Sequence, residues 1–204
     1  SSDVCSSDLW LNFDTVDGLR ARLWSDDRLS LGFAAIPRFG RKPHDDERVL
    51  HGLTSIGGTI EMGGYVALRL GNITSEIVAT QDFFNQHRGL VTDARIFVTH
   101  QIGQAELQFG PMIRGATQRY MNAFYGINPV QAQVNGNGPY RANGGIERVG
   151  TEFSADVALT SSITLSVFMD YGRLLGDADR SPIVRRYGSP NQIYVGLFLT
   201  YRLY

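Results

Sequence analysis

Residues 191–204 read NQIYVGLFLTYRLY. Ile193, Val195, Leu197, Leu199, Tyr201 and Leu203 fall on one side of an extended chain; Gln192, Tyr194, Gly196, Phe198, Thr200 and Arg202 fall on the other. A period of two kept over the whole stretch is that of a strand, because successive Cβ atoms point to opposite faces. The strand outruns the ~5–6 residues common in globular sheets and meets the ~9–11 needed to cross a bilayer at a tilt.

The same rhythm recurs upstream. Ile163, Leu165, Val167, Met169 and Tyr171 alternate with polar or small residues, as do Val149, Thr151, Phe153, Ala155, Val157 and Leu159. Ala105, Leu107, Phe109 and Ile113, then Thr92, Ala94, Ile96 and Val98, then Ile60, Met62, Val66, Leu68 and Leu70 continue it back to Leu29, Leu31, Phe33 and Ala35. Connections alternate short and long. SDDR (25–28), Gly71-Asn72, Gly103-Gln104 and Thr160-Ser161-Ser162 are short; residues 41–58, 83–89, 120–145 and 177–190 are long. Tight turns at one end and long loops at the other are the connectivity of an outer-membrane barrel, with the short turns in the periplasm.

Periodicity does not say which face looks inward. A soluble barrel would bury the apolar set and leave the charges in water. The polar face, however, carries both signs at similar depth: Glu61, Arg69, Glu76, Asp93, Arg95, Glu106, Arg114, Glu152, Asp156, Asp170 and Arg202. These can pair across a narrow lumen, whereas a charge held toward lipid at the midplane costs ~2–4 kcal/mol. Gly32, Gly63, Gly110, Gly150 and Gly196 on the same face suit a crowded interior. The fold class predicted is therefore all-β, a single antiparallel up-and-down transmembrane β-barrel over residues 10–204.

Walking back from the C-terminus gives about nine spans, with residues 10–24 as the first. Single-chain bacterial barrels have an even number of strands, so the expectation is a barrel missing its first strand or strands. As written, such a sheet would leave unpaired backbone in lipid and would not be competent. Within LNFDTVDGLRARLW (11–24), Asp17-Gly18 could turn the chain into two short strands and change the parity. The opening residues 1–9 are set apart: SDVCSSDL (2–9) resembles a translated sequencing adapter and shows no period, so a non-native prefix is expected there. With Cys5 discounted, no disulfide or thiolate metal site is expected. Nineteen basic against 20 acidic residues, a net charge of −1, provide no field to draw nucleic acid.

GRKPHDDERVLHGLTSI (40–56), RYMNAFYGINPVQAQ (119–133) and YGRLLGDADRSPIVRRYGSPNQIYVGL (171–197), followed by the terminal Tyr-Arg, resemble the MipA/OmpV family. The likeness runs from residue 18 to 203. It implies a Gram-negative outer-membrane barrel of ten or twelve strands with a cleaved signal peptide, folded by the barrel-assembly machinery. Some members are described as scaffolds joining a lytic transglycosylase to a murein synthase, others as adhesins or surface antigens. One departure stands out: the ending Tyr201-Arg202-Leu203-Tyr204 moves the last aromatic one position beyond its usual frame.

No GxSxG, HExxH or calcium-loop spacing is present, and no cofactor or metal site is expected. His44 and His51 flank Asp45-Asp46-Glu47 and read as a solvated loop. His87 beside Arg88, near Asp82 and Asp93, faintly suggests rim catalysis but reads better as a loop histidine among surface charges. NGNGPYRANGG (135–145) lacks the Lys-Ser/Thr of a phosphate cradle and reads as a flexible loop. Arg41, Lys42, Arg119, Arg185 and Arg186, with Arg38, Arg141, Arg148 and Arg180, lie near the outer loops and could contact lipopolysaccharide phosphates or serve as solubilising charge. Trp24, Tyr171 and Tyr201 suit the interfacial aromatic girdles. The expected function is a non-catalytic outer-membrane scaffold; a small channel, an adhesin and a rim-located hydrolase are the alternatives.

Overall fold

A computed structural model describes residues 11–14, 18–41 and 52–201. The described strands are β1 (Leu11–Asp14), β2 (Gly18–Ser25), β3 (Leu29–Arg38), β4 (Thr59–Leu70), β5 (Ile73–Asp82), β6 (Leu90–Ile102), β7 (Ala105–Ala116), β8 (Gly145–Ala158), β9 (Ile163–Leu174) and β10 (Asn191–Tyr201). They form one sheet in chain order, every neighbouring pair antiparallel. Nine strands of eight or more residues, β2 to β10, accord with the expected number. The four-residue β1 precedes them, paired Asp14↔Gly18 with β2, so 11–24 is two strands and not one span. Among the described residues β1 and β10 are not paired with each other, and the sheet is not closed.

Burial settles which way the faces look. Along β4, Ile60, Met62, Val66, Leu68 and Leu70 are exposed while Thr59 and Glu61 are buried. In β5, Ile77 is exposed and Thr74, Glu76, Val78, Thr80 and Asp82 are buried. On β10 Leu197 is 70% exposed, whereas Glu61 has no exposure at all. The charges face inward and the aliphatic side chains outward, the inverse of a water-soluble barrel.

The hairpin turns follow from their sequences. Leu70↔Ile73 and Ile102↔Ala105 close two-residue turns, with Gly71 at φ 63° and Gly103 at φ 59° in the first central position. That left-handed conformation at the first position is the type II′ requirement, which glycine meets without a Cβ clash. In the turn after β2, the Asp26 carboxylate accepts from the Arg28 and Leu29 N–H groups at 2.8 and 2.7 Å, and those bonds hold its pKa below the ordinary value.

The long-loop end is not irregular. Four short helices occupy it among the described residues: α1 (Gln118–Tyr125), α2 (Pro129–Asn135), α3 (Gly176–Arg180) and α4 (Pro182–Tyr187). The main apolar core lies here. Val91, Ala116 and Leu174 from the strand ends pack with Tyr120, Met121, Ala142, Ala178 and Val184 from the loops. Leu53, Ile127 and Ala132 form a second cluster beside it. The segment 135–145, expected to be flexible, is anchored: Tyr140 bridges Ile127, and the buried Ala142 donates its N–H to Asn122 Oδ1 at 3.0 Å. These helices and the segment between them form a cap over the mouth of the sheet.

Candidate functional site

The inward charges are arranged as chains and pairs. On β5, Glu76 lies between two arginines: Arg20 of β2 reaches it at 2.5 and 3.2 Å, and Arg95 of β6 donates through Nε at 2.7 Å. Arg95 continues to Glu152 of β8 at 3.4 Å, so one line of alternating charge runs from β2 to β8. Arg114 forks onto Asp93 at 2.6 and 3.1 Å, and Arg148 onto Asp170 at 3.0 and 2.8 Å. Two-pronged guanidinium–carboxylate contacts are the strongest of the ordinary charge-assisted bonds. Gly172 makes room for the last of them, since a Cβ there would stand 2.7 Å from Arg148 Cδ.

At the long-loop end Glu61 is the centre of a closed cluster. Arg38 of β3 donates to both its oxygens at 3.0 and 2.7 Å, and Thr80 adds a hydroxyl at 3.2 Å. His87 Nδ1 accepts from the Gly89 N–H at 3.1 Å, which leaves the ring proton on Nε2. That nitrogen stands 3.2 Å from Glu61 Oε1, off the line of a hydrogen bond, as an electrostatic contact. The imidazole is packed edge-on against Tyr120 at 5.0 Å between ring centres and tilted on Phe124 at 5.7 Å. Nearby, Asp82 accepts from Thr59 Oγ1 at 2.5 Å and from the N–H groups of Phe84, His87 and Arg88 at 3.1, 2.6 and 2.9 Å. Those bonds fix the loop that carries His87, with Asn85 and Arg88 at positive φ. Tyr125 donates to the buried Glu147 at 2.6 Å; burial and then this carboxylate push its hydroxyl pKa well up.

Several expected residues sit elsewhere than their sequence position suggests. His87 is not a surface histidine but a buried one. Arg38 and Arg148, placed by sequence near the outer loops, turn inward onto Glu61 and Asp170. Arg41 donates to the carbonyls of Phe124 and Ala123 at 2.8 and 3.4 Å. Arg186 is bound to Asn137 Oδ1 at 2.8 Å, Arg185 to Asp179 at 2.7 Å, and Arg180 to Asp177 at 2.5 Å; Arg119 is exposed. Toward the short turns the pattern thins. Arg69 is exposed and has no ion pair among the described residues, Glu106 accepts only from Gln108 at 2.9 Å, and Asp156 accepts from Ser166. Lys42, His44, His51, Arg202 and the prefix 1–9 lie outside the described residues, as does the Tyr201 side chain. Arg20 and Glu147 are further inward charges that sequence reading missed; Arg20 falls in the stretch taken as a single terminal span.

The match to known families covers nearly the whole chain, residues 4–203, and the family is described as MltA-interacting protein MipA. The chain belongs to the MipA family. No curated protein is similar enough to match it. Two of the runs that carry the MipA resemblance build the cap, and the third, 40–56, lies mostly outside the described residues. Residues 119–133 supply most of α1 and the start of α2; 171–197 supply α3, α4 and the strand ends on either side. Within the second run Leu174 and Ala178 are core residues. Ser181, with no exposure, accepts from the Ile183 N–H to start α4 and donates to the Tyr125 carbonyl at 2.7 Å. The inward carboxylates and their arginines lie mostly outside these runs.

Proposed function

We propose that the protein is an outer-membrane β-barrel of a Gram-negative bacterium, assembled by the barrel-assembly machinery, that acts as a non-catalytic scaffold for a lytic transglycosylase and a murein synthase. The observation that carries the membrane part is the outward aliphatic face. Rows such as Ile193, Val195, Leu197 and Leu199 are two-thirds exposed. Leaving them in water would forfeit roughly 1.5–3 kcal/mol per side chain that burial in acyl chains recovers. Exposed Trp24 at the short-turn end and Tyr171 near the long-loop end fit the two interfacial girdles. The partner is supported by the family description, which names interaction with MltA.

The site geometry supports a non-catalytic reading. Glu61 and His87, the nearest approach to an acid–base pair among the described residues, lie beneath Tyr120 and Phe124 with neither side chain exposed to a substrate. The packing of the cap on the ends of β6, β7 and β9 speaks against a small channel, since it sets apolar side chains where an ion would enter. Lipopolysaccharide phosphates are proposed to meet the exposed Arg119 and the half-free guanidinium of Arg185 rather than the inward arginines.

The test is retention of purified MltA by the immobilised full chain refolded in detergent, run beside planar-bilayer recording. Retention without steady conductance steps is the expected result. Repeated failure to retain MltA on intact barrels removes the scaffold role, and stepwise conductance removes the sealed lumen.

A further inference from the structure

Away from the lumen, the outer surface of the cap carries a cleft of about 650 Å³, within the ~300–1,000 Å³ usual for small-ligand sites. Its wall is made by Arg41, Thr54, Ser55, Gln86, Asn128 and Arg141, among others from α1, α2 and the segment 139–141. Among the described residues no carboxylate lines it. On the inward face, by contrast, Arg20, Arg38, Arg95, Arg114 and Arg148 are each answered by an acid.

Arg41 is the exception to that pairing. Its two terminal nitrogens donate to backbone carbonyls, its Nε is buried with no acceptor, and no acid among the described residues faces it. Desolvation lowers its pKa accordingly. A partly buried guanidinium without a counter-charge is costly, and a bound anion offsets that cost. Around it stand neutral hydrogen-bonding groups. The Ser55 hydroxyl and the Asn128 side-chain NH₂ make no hydrogen bond to the described residues, and Tyr140 lines one wall. Arg141, on the exposed rim, has only the Gln118 side chain beside it.

We infer that this cleft binds an acidic sugar, the carboxylate or phosphate of the ligand resting between Arg41 and Arg141 and its hydroxyls meeting Ser55 and Asn128. Cations alone would serve any anion. The uncharged donors between them select a hydroxyl-rich one, because a site built to hydrogen-bond hydroxyls discriminates against ligands that leave those donors unpaired. Such a sugar could be the core of lipopolysaccharide or a soluble acidic polysaccharide.

The experiment is calorimetric titration of the full chain, refolded in detergent, with a galacturonic acid trisaccharide, the neutral galactose trisaccharide, inorganic phosphate, a short polyglutamate and lipid-free lipopolysaccharide core. The two acidic sugars are expected to bind at least tenfold more tightly than the neutral sugar, phosphate or polyglutamate; whichever of the two binds better identifies the source. Arg141→Gln, at an exposed rim position, is expected to weaken the acidic sugars about tenfold with heat-modifiable gel mobility unchanged. Arg41→Gln should weaken them more, and Arg141→Gln keeps the test decisive if that variant loosens the cap. Equal binding of acidic and neutral sugars, phosphate or polyglutamate binding as tightly as the acidic sugars, or no effect of Arg141→Gln overturns the assignment.

Discussion

The two ends of the barrel treat the same residue types differently. At the long-loop end three inward acids each meet an arginine, Glu61 with Arg38, Asp93 with Arg114 and Asp170 with Arg148, while Asp82 takes three N–H groups and a hydroxyl and Glu147 the Tyr125 hydroxyl. At the short-turn end Glu106 and Asp156 face each other in register across β7 and β8, and each is met only by a neutral donor. The difference is one of solvent. Beneath the cap water is excluded, and an unpaired charge there costs several kcal/mol. Near the tight turns the groups are half exposed, so water performs the solvation and pairing contributes little. Charge placement along a strand is thus set by what covers its end.

That contrast can be broken by mutation. The largest effect is expected from Glu61→Ala, which strands the Arg38 guanidinium and leaves the His87 ring without its facing acid. A loss on the order of 3–5 kcal/mol is expected, read as collapse of hydrogen-exchange protection across α1 and residues 87–91. Next comes Gly172→Ala. Its new methyl group would stand 2.7 Å from Arg148 Cδ and 3.0 Å from Nη1, forcing the guanidinium off Asp170 at about 1–3 kcal/mol; denaturant midpoints of the detergent-folded barrel measure it. Restoring space by removing the crowded side chain, as in Gly172→Ala with Arg148→Ala, should not recover the loss, because Asp170 is then buried without its cation.

A smaller effect is confined to the cap. Asp177 accepts from Arg180 at 2.5 Å and from the Asn143 N–H at 2.8 Å, and these bonds, Arg180 first, hold its pKa below the ordinary 3.8. A carboxyl depressed in the folded state contributes stability that is present above pH 3.8 and lost as the pH falls through its lower folded value. Exchange protection at the Asn143 amide is therefore expected to fall in that acid window, and Asp177→Asn should abolish the pH dependence there. The smallest change is expected from Glu106→Gln. Removing one of two like charges in register should leave stability within about 0.5 kcal/mol or raise it slightly, in contrast to Glu61.

The strands were legible because a barrel writes its period of two into nearly every segment, and the inward set followed from the same alternation. The first hairpin was obscured in residues 11–24, where two short strands share one apolar rhythm; Asp17-Gly18 was the mark of the turn. The cap was illegible as helix because its pieces run eight residues or fewer, too short for a 3.6-residue period to emerge. Local signals were present nonetheless. Asn128-Pro129 with Gln131 forms a capping box and Gly136 ends the helix at φ 69°, while Ser181-Pro182 starts α4. Pairing could not be read either. Arg38 and Arg148 share the strand face of Gly32 and Glu152, so the alternation already points them inward; the acid each one meets, Glu61 and Asp170, follows only from the pairing of the strands. His87 reads as a surface group because its neighbours Arg88 and Gln86 are exposed, while its own ring is inserted beneath Tyr120.

Orientation of the faces is the claim on which the rest stands. Nitroxide labels at Ile77 and Leu197, and at Thr74 and Gln108 on the opposite face, placed in a Cys5→Ser background and reconstituted in lipid, report it directly. The first pair should relax with oxygen dissolved in the bilayer and ignore a water-soluble nickel chelate, and the second pair should not respond to the bilayer oxygen. Aqueous accessibility at Ile77 and Leu197 would contradict the account.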